Sequence, residues 1–120
     1  MTARTIERLT GNVTTTDATQ TTLATYTIAN GSSVSAEADV IGKDGSGNTV
    51  VAKQLAAAKQ PSGTASIVGS VVNLVTTITD AALIGASVTI DASGATVRVR
   101  VTGKLATTIE WFCDFKIIVH

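Results

Sequence analysis
The chain has 120 residues, the length of one domain able to bury a core of its own. Nine basic residues balance nine acidic ones, so no net field draws nucleic acid or an anionic membrane surface. The single cysteine, Cys113, excludes an internal disulfide framework. With only four aromatics (Tyr26, Trp111, Phe112 and Phe115), the core has to be built from Val, Ile, Leu and Ala.

The chain opens with Arg4, Glu7 and Arg8 where a signal peptide needs an apolar run, which points to a soluble protein made in the cytoplasm. No apolar stretch approaches the ~20 residues that span a bilayer. Alternation is absent here beyond Ile6 and Leu9, and Thr14-Thr15-Thr16-Asp17-Ala18-Thr19 reads as a polar tether. Residues 1–20 are therefore expected to form an extended arm or linker ahead of a domain over 21–120.

From there on the sequence reads as strands. Threonine occurs 21 times and proline once, at Pro61, and β-branched side chains suit a pleated surface better than a helix. Leu23–Ile28 and Val34–Ile41 read as a strand pair divided by the turn signal Asn30-Gly31. A polar turn over Lys43–Asn48 leads to Val50–Lys59, which is bounded on its far side by Gln60-Pro61-Ser62-Gly63. The residues Val51-Ala52-Lys53-Gln54-Leu55-Ala56-Ala57-Ala58-Lys59 have helix-forming composition. The flanking turns and the β character of every neighbour nevertheless predict a strand. Ala65–Val75 follows as a strand, Asp80–Gly85 as an irregular crossover, and Val88–Asp91 as a strand that turns through Ala92-Ser93-Gly94.

The clearest alternation runs from Ala95 to Gly103, with Val97, Val99 and Val101 on one side and Arg98, Arg100 and Thr102 on the other. A short connection over 102–107 reads as a hairpin into the last strand, Thr108–Val119. That strand places Ile109, Trp111, Cys113, Phe115, Ile117 and Val119 on one face. Its other face mixes Glu110, Asp114 and Lys116 with the apolar Phe112 and Ile118, as expected of a central strand or one covered by a second subunit. Turns at this spacing define the expected fold: an all-β antiparallel β-sandwich, jelly-roll-like or Ig-like, with an extended N-terminal arm.

The residue types present form no recognisable reactive centre. One His and one Cys offer no ligand spacing, so no metal and no cofactor are expected. Cys113 lies between Trp111 and Phe115 on an apolar face, which favours an inert buried thiol over a nucleophile. His120 is the terminal residue and a poor candidate for a triad. The carboxylates Glu37 with Asp39, and Glu110 with Asp114, share strand faces, but acids at even spacings on any strand do so. Asp44-Gly45-Ser46-Gly47-Asn48 and Asp91-Ala92-Ser93-Gly94 lack the ligand series of a calcium loop and read as turns. No catalytic residue is assigned, and no enzyme is expected. Arg98 and Arg100 form a small basic stripe without interleaved aromatics, better suited to an ion pair with a neighbour than to nucleic acid.

Several stretches, taken in order, resemble a β module of tailed-bacteriophage structural proteins, including tail fibres and small virion proteins. They are Thr15–Ala24, Val40–Asp44 with Gly47-Asn48, Gly63–Gly69, Val97–Gly103 and Thr107–Trp111, together spanning about residues 14 to 119. The chain departs from that pattern at Ala56-Ala57-Ala58 and at Phe112 and Ile118. The resemblance implies a virion structural protein, a capsid decoration or fibre-like component assembled in the host cytoplasm. It further implies self-association, a trimer above all, and attachment to other virion proteins of capsid or tail. The residues expected at a subunit or virion interface are Ile6, Leu9, Arg98, Arg100, Phe112 and Ile118. The alternative reading is a host-surface glycan-binding adhesin module, with Tyr26 as its main aromatic candidate.

Overall fold
The computed structural model describes residues 4–120. Nine strands follow one another: β1 (Thr5–Thr15), β2 (Gln20–Thr27), β3 (Ser32–Lys43), β4 (Thr49–Gln60), β5 (Ser66–Asn73), β6 (Ile78–Thr79), β7 (Ser87–Ser93), β8 (Thr96–Thr102) and β9 (Ile109–Val119). A 3-10 turn, Ala81–Leu83, interrupts them and buries Leu83. The strands form two antiparallel sheets in a sandwich-like arrangement. The larger sheet has the order β1-β9-β3-β4-β5, with β6 beside β4, and the smaller has the order β2-β8-β7. The molecule is elongated, 50 × 23 × 23 Å.

Three tight hairpins set the register: β3–β4 through Asp44–Asn48, β4–β5 past Pro61, and β7–β8 through Gly94. In the first, the Asp44 carboxylate accepts hydrogen bonds from the backbone N–H groups of Ser46 and Asn48, both at 2.9 Å, and from Asn48 Nδ2 at 2.8 Å. These bonds hold its pKa below the usual carboxylate range, the Asn48 side chain contributing most.

Two connections expected as hairpins are instead crossovers. β2 pairs with β8 and β3 with β4 and β9, so the Asn30-Gly31 turn carries the chain from one sheet to the other. Residues 103–108 do the same between β8 and β9. Alternation identifies a strand and its faces but carries no information on its partner, and in a sandwich consecutive strands often change sheets.

The expected N-terminal arm is also revised. Residues 1–3 lie outside the described residues, but Thr5–Thr15 is a full edge strand, paired residue for residue with β9 from Thr5↔Val119 to Thr15↔Ile109. Leu9, Gly11, Val13 and Thr15 face inward, and only Thr16–Thr19 remains as a link to β2. The inward positions include Gly and Thr, so no apolar alternation announced this strand. Gly11 is where β1 passes tightly over β2: a Cβ there would overlap the Leu23 carbonyl, beside the bulge in β2.

The core lies between the sheets. β9 supplies Ile109, Trp111, Cys113, Phe115 and Ile117, and β8 supplies Val97, Val99 and Val101, all buried. Across the larger sheet, bulky residues of β9 stand beside small ones of β3: Ile117 is paired with Ala36, with Ala56 next along the same rung, and Phe115 is paired with Ala38. The alanines of β3 and β4 thus make room for the bulk of β9, which keeps the packing dense. Gly42 serves the same end, since a Cβ would stand 2.7 Å from the Trp111 ring. The Trp111 indole N–H donates to Thr15 Oγ1 at 2.9 Å, tying β9 to the end of β1.

Candidate functional site
The outer face of the larger sheet is built from every second residue of β1, β9, β3 and β4, because side chains alternate across a strand. Its rungs are read from the pairing register. Ile6, Ile118, Ser35 and Ala57 make the first; Arg8, Lys116, Glu37 and Leu55 the second; Thr10, Asp114, Asp39 and Lys53 the third. Asn12, Phe112, Ile41 and Val51 make the fourth, which Ile78 of β6 extends, and Thr14, Glu110, Lys43 and Thr49 the fifth.

The fourth rung is apolar over four adjacent strands. Phe112 is 50% exposed, Ile41 45% and Ile78 66%, with Val51 half-buried between them. Shallow hollows flank the Phe112 ring. One, of about 610 Å³, is lined by Asn12, Val13, Thr14, Ile41, Lys43, Glu110 and Trp111. The other lies toward Asp39, Val51 and Asp114. Leu55 and Val72 form a further apolar pair toward β5. Scattered exposed hydrophobics are normal on any surface, whereas a continuous row is not.

Charges occupy the middle of the face. Arg8 reaches Asp114 at 3.8 Å, and Lys53 lies 3.4 Å from Asp39 and 4.0 Å from Glu37. The carboxylate pair Glu37 and Asp39 is therefore bridged by a lysine on an exposed surface. Among the described residues, no cluster of three or more His, Cys, Asp or Glu is placed to hold a metal ion, and no helix is long and apolar enough to cross a membrane.

The interface residues expected from sequence divide into three groups. Ile6, Phe112 and Ile118 lie on this outer face, with Ile6 directly opposite Ile118. Leu9 does not: it sits opposite Phe115 on the inner face and packs against the core. Arg98 and Arg100 lie on the outer face of the smaller sheet, where Asp91 engages both. Arg98 binds it through two hydrogen bonds of 2.8 and 2.9 Å, and Arg100 approaches to 3.8 Å. The Asp91 contact raises the Arg98 pKa further. Ile41, Val51 and Ile78 were missed as surface residues. The doublets Val40-Ile41 and Val50-Val51 were the available signal, because two successive apolar residues on a strand place one on each face.

Two other candidates are occupied by the chain itself. Tyr26 donates its hydroxyl hydrogen to Glu7 Oε2 at 2.7 Å. The terminal His120 exchanges backbone hydrogen bonds with Ser33, both at 2.8 Å, and its Nδ1 accepts from Arg4 Nε at 3.3 Å. Burial pushes the Cys113 thiol up to about 11, as expected of an inert core cysteine.

The fold and the surface define an all-β sandwich whose most distinctive exposed feature is a broad sheet face with an apolar row. No protein-family model and no curated protein matches the chain. Among solved structures, it is similar to the tailspike protein gp49 from Acinetobacter baumannii bacteriophage Fri1, a capsular polysaccharide depolymerase. That similarity has a TM-score of 0.43 at 16% identity and covers 92% of this chain but 17% of the tailspike.

Proposed function
We propose that this chain is a structural component of a tailed-bacteriophage virion, a capsid decoration or fibre-like component that acts by self-association and by attachment to the particle. The observation that carries the reading is the outer face of the larger sheet, where Phe112, Ile41, Val51 and Ile78 form one apolar row flanked by charges. An exposed row of this kind is the form a protein–protein contact takes, with an apolar centre and a polar rim. The resemblance of the sequence to phage structural modules supports the virion context, and the all-β sandwich agrees with the fold that this resemblance implies. Quantitative proteomics and immunogold labelling of gradient-purified particles from the same genome test the proposal. The chain is expected in the particles at a fixed copy number; its absence from them overturns the reading.

The glycan-binding alternative is favoured by one observation. The hollow beside Phe112 combines an exposed ring with Asn12, Lys43 and Glu110, a mixture of apolar and hydrogen-bonding groups suited to a sugar. Tyr26 does not serve it, because its hydroxyl is taken by Glu7. A glycan array probed with wild-type protein and with Phe112→Ser checks this reading, which requires binding that the substitution abolishes.

A further inference from the structure
The charged residues around the apolar row are arranged so that the face is complementary to itself. In the second rung Lys116 of β9 lies directly opposite Glu37 of β3, and in the fifth Glu110 of β9 lies opposite Lys43 of β3. Among the described residues, Lys116, Lys43 and Glu110 form no ion pair of 4 Å or less within the chain. In the fourth rung Phe112 of β9 lies opposite Ile41 of β3. β9 and β3 thus carry opposite charges, or matching apolar groups, at the same heights along the strands.

We propose that two copies of this chain pack face to face through the outer surface of the larger sheet, about a twofold axis running parallel to the strands between β9 and β3. This deepens the reading of that face as an assembly surface and rests on it. A rotation about such an axis leaves each rung at its height and sets β9 of one copy over β3 of the other. Phe112 then meets Ile41 of the second copy. Lys116 meets its Glu37, and Glu110 meets its Lys43. Each contact is made twice, which is the defining property of an isologous interface. In the third rung the same rotation brings Asp114 over Asp39. Each of these acids already has a cation of its own chain beside it, Arg8 at 3.8 Å and Lys53 at 3.4 Å.

The extent of the face fits a second copy. With strands ~4.8 Å apart and ~6.8 Å between rungs, five rungs over the four strands that the axis superposes (β1, β9, β3 and β4) cover on the order of 650 Å². A standard protein–protein contact takes ~800 Å² from each partner. Sheets packed face to face cross at about −30°, which displaces the outermost rungs sideways but keeps the second to fourth within reach of long side chains. The contact is twofold, whereas the phage-module resemblance implies a trimer; the exchange of β9 and β3 does not generate threefold symmetry.

Charge reversal with mixing tests this on the full chain. Lys116→Glu makes both central pairs acidic in its homodimer, and Glu37→Lys makes both basic. A mixed dimer of the two variants restores an acid against a base at both pairs. Sedimentation equilibrium is expected to show a wild-type dimer, each variant dimerising at least about tenfold more weakly, and the equimolar mixture regaining the wild-type association. Circular dichroism and melting confirm that each variant is folded, and the mixing step registers only contacts between chains. A wild-type monomer or trimer overturns the proposal, as do single variants that dimerise like wild type or a mixture no tighter than its components. Loss of glycan binding in Phe112→Ser with the dimer intact likewise overturns it, assigning the face to sugar. Particle composition judges the virion role separately. A monomer found in virions removes the twofold contact and self-association but leaves attachment to the particle, and a dimer absent from virions removes the virion role alone.

Discussion

At the scale of single residues, the side chains with the most distinctive chemistry are committed to the fold. Tyr26 is the only tyrosine, so its ionisation can be followed directly by absorbance. Burial, and then the hydrogen bond to the Glu7 carboxylate, push its pKa up from 10.0 to about 12. The neutral phenol is the form the folded state favours. Its contribution to stability is therefore complete below pH 10 and is lost as pH rises toward 12. A spectrophotometric titration is expected to show a midpoint well above 10, and Glu7→Gln should move it back toward the ordinary value. At the far end of β1, Thr15→Val removes the acceptor of the buried Trp111 N–H. Urea denaturation should register a loss of about 1–3 kcal/mol, the cost of leaving a buried donor unsatisfied. Cys113, with its thiol pKa pushed up to about 11, should resist an aromatic disulfide reagent in the folded protein and react at once in denaturant.

At the scale of elements, β4 is where local preference and fold disagree. Its Ala-, Leu-, Lys- and Gln-rich run favours a helix locally, yet it lies between β3 on one side and β5 and β6 on the other. Pairing along both edges and burial of Ala52, Ala56 and Ala58 override the preference. Ala56 and Ala58 are small because bulky β9 residues fill the same layer, but Ala57 points outward and is exposed. Ala57→Val is therefore expected to raise the melting temperature through strand propensity worth up to about 1 kcal/mol. Ala56→Val overfills the core and should lower stability by about 1–3 kcal/mol. Strand positions and faces were legible wherever apolar residues alternate, as in β8 and β9, or where turns bound a run, as in β4. β1 was not legible, because Gly11 and Thr15 hold inward positions where alternation requires large apolar groups. The partners of β2 and β9 were illegible for another reason: they depend on contacts between distant segments, which no local pattern encodes. Phe112 and Ile118 could be found because they break the polar face of β9, whereas Ile78 belongs to a strand of two residues, too short for any period to show.

At the scale of the whole molecule, the sandwich is closed by its first and last strands. β9 forms the centre of the core and pairs with β1 on one side and β3 on the other, so the fold is complete only when the first and last strands have met. If residues 1–20 were a detachable arm, their removal would leave a folded domain. With β1 built into the sheet, removing residues 1–15 exposes the β9 edge and deprives Trp111 of Thr15. The truncated chain is expected to aggregate or to unfold without a cooperative transition. Sharp unfolding of a soluble truncated monomer would contradict the place of β1 in the sheet. The candidate surface depends on the same closure, since Asn12 and Thr14 of β1 form one wall of the hollow beside Phe112.

The β1–β9 pairing also governs how the domain answers a pull. Thr5 faces Val119, and the two strands run in opposite directions, so handles fixed near the two ends would load the ladder at one extremity. Its hydrogen bonds would then break in succession, like the teeth of a zip fastener, instead of resisting together in shear. Stretched in this way in an optical trap, the domain should open at low force with β1 peeling first. Handles on Thr5 and Ile109, at opposite ends of the same strand pair, should meet much greater resistance.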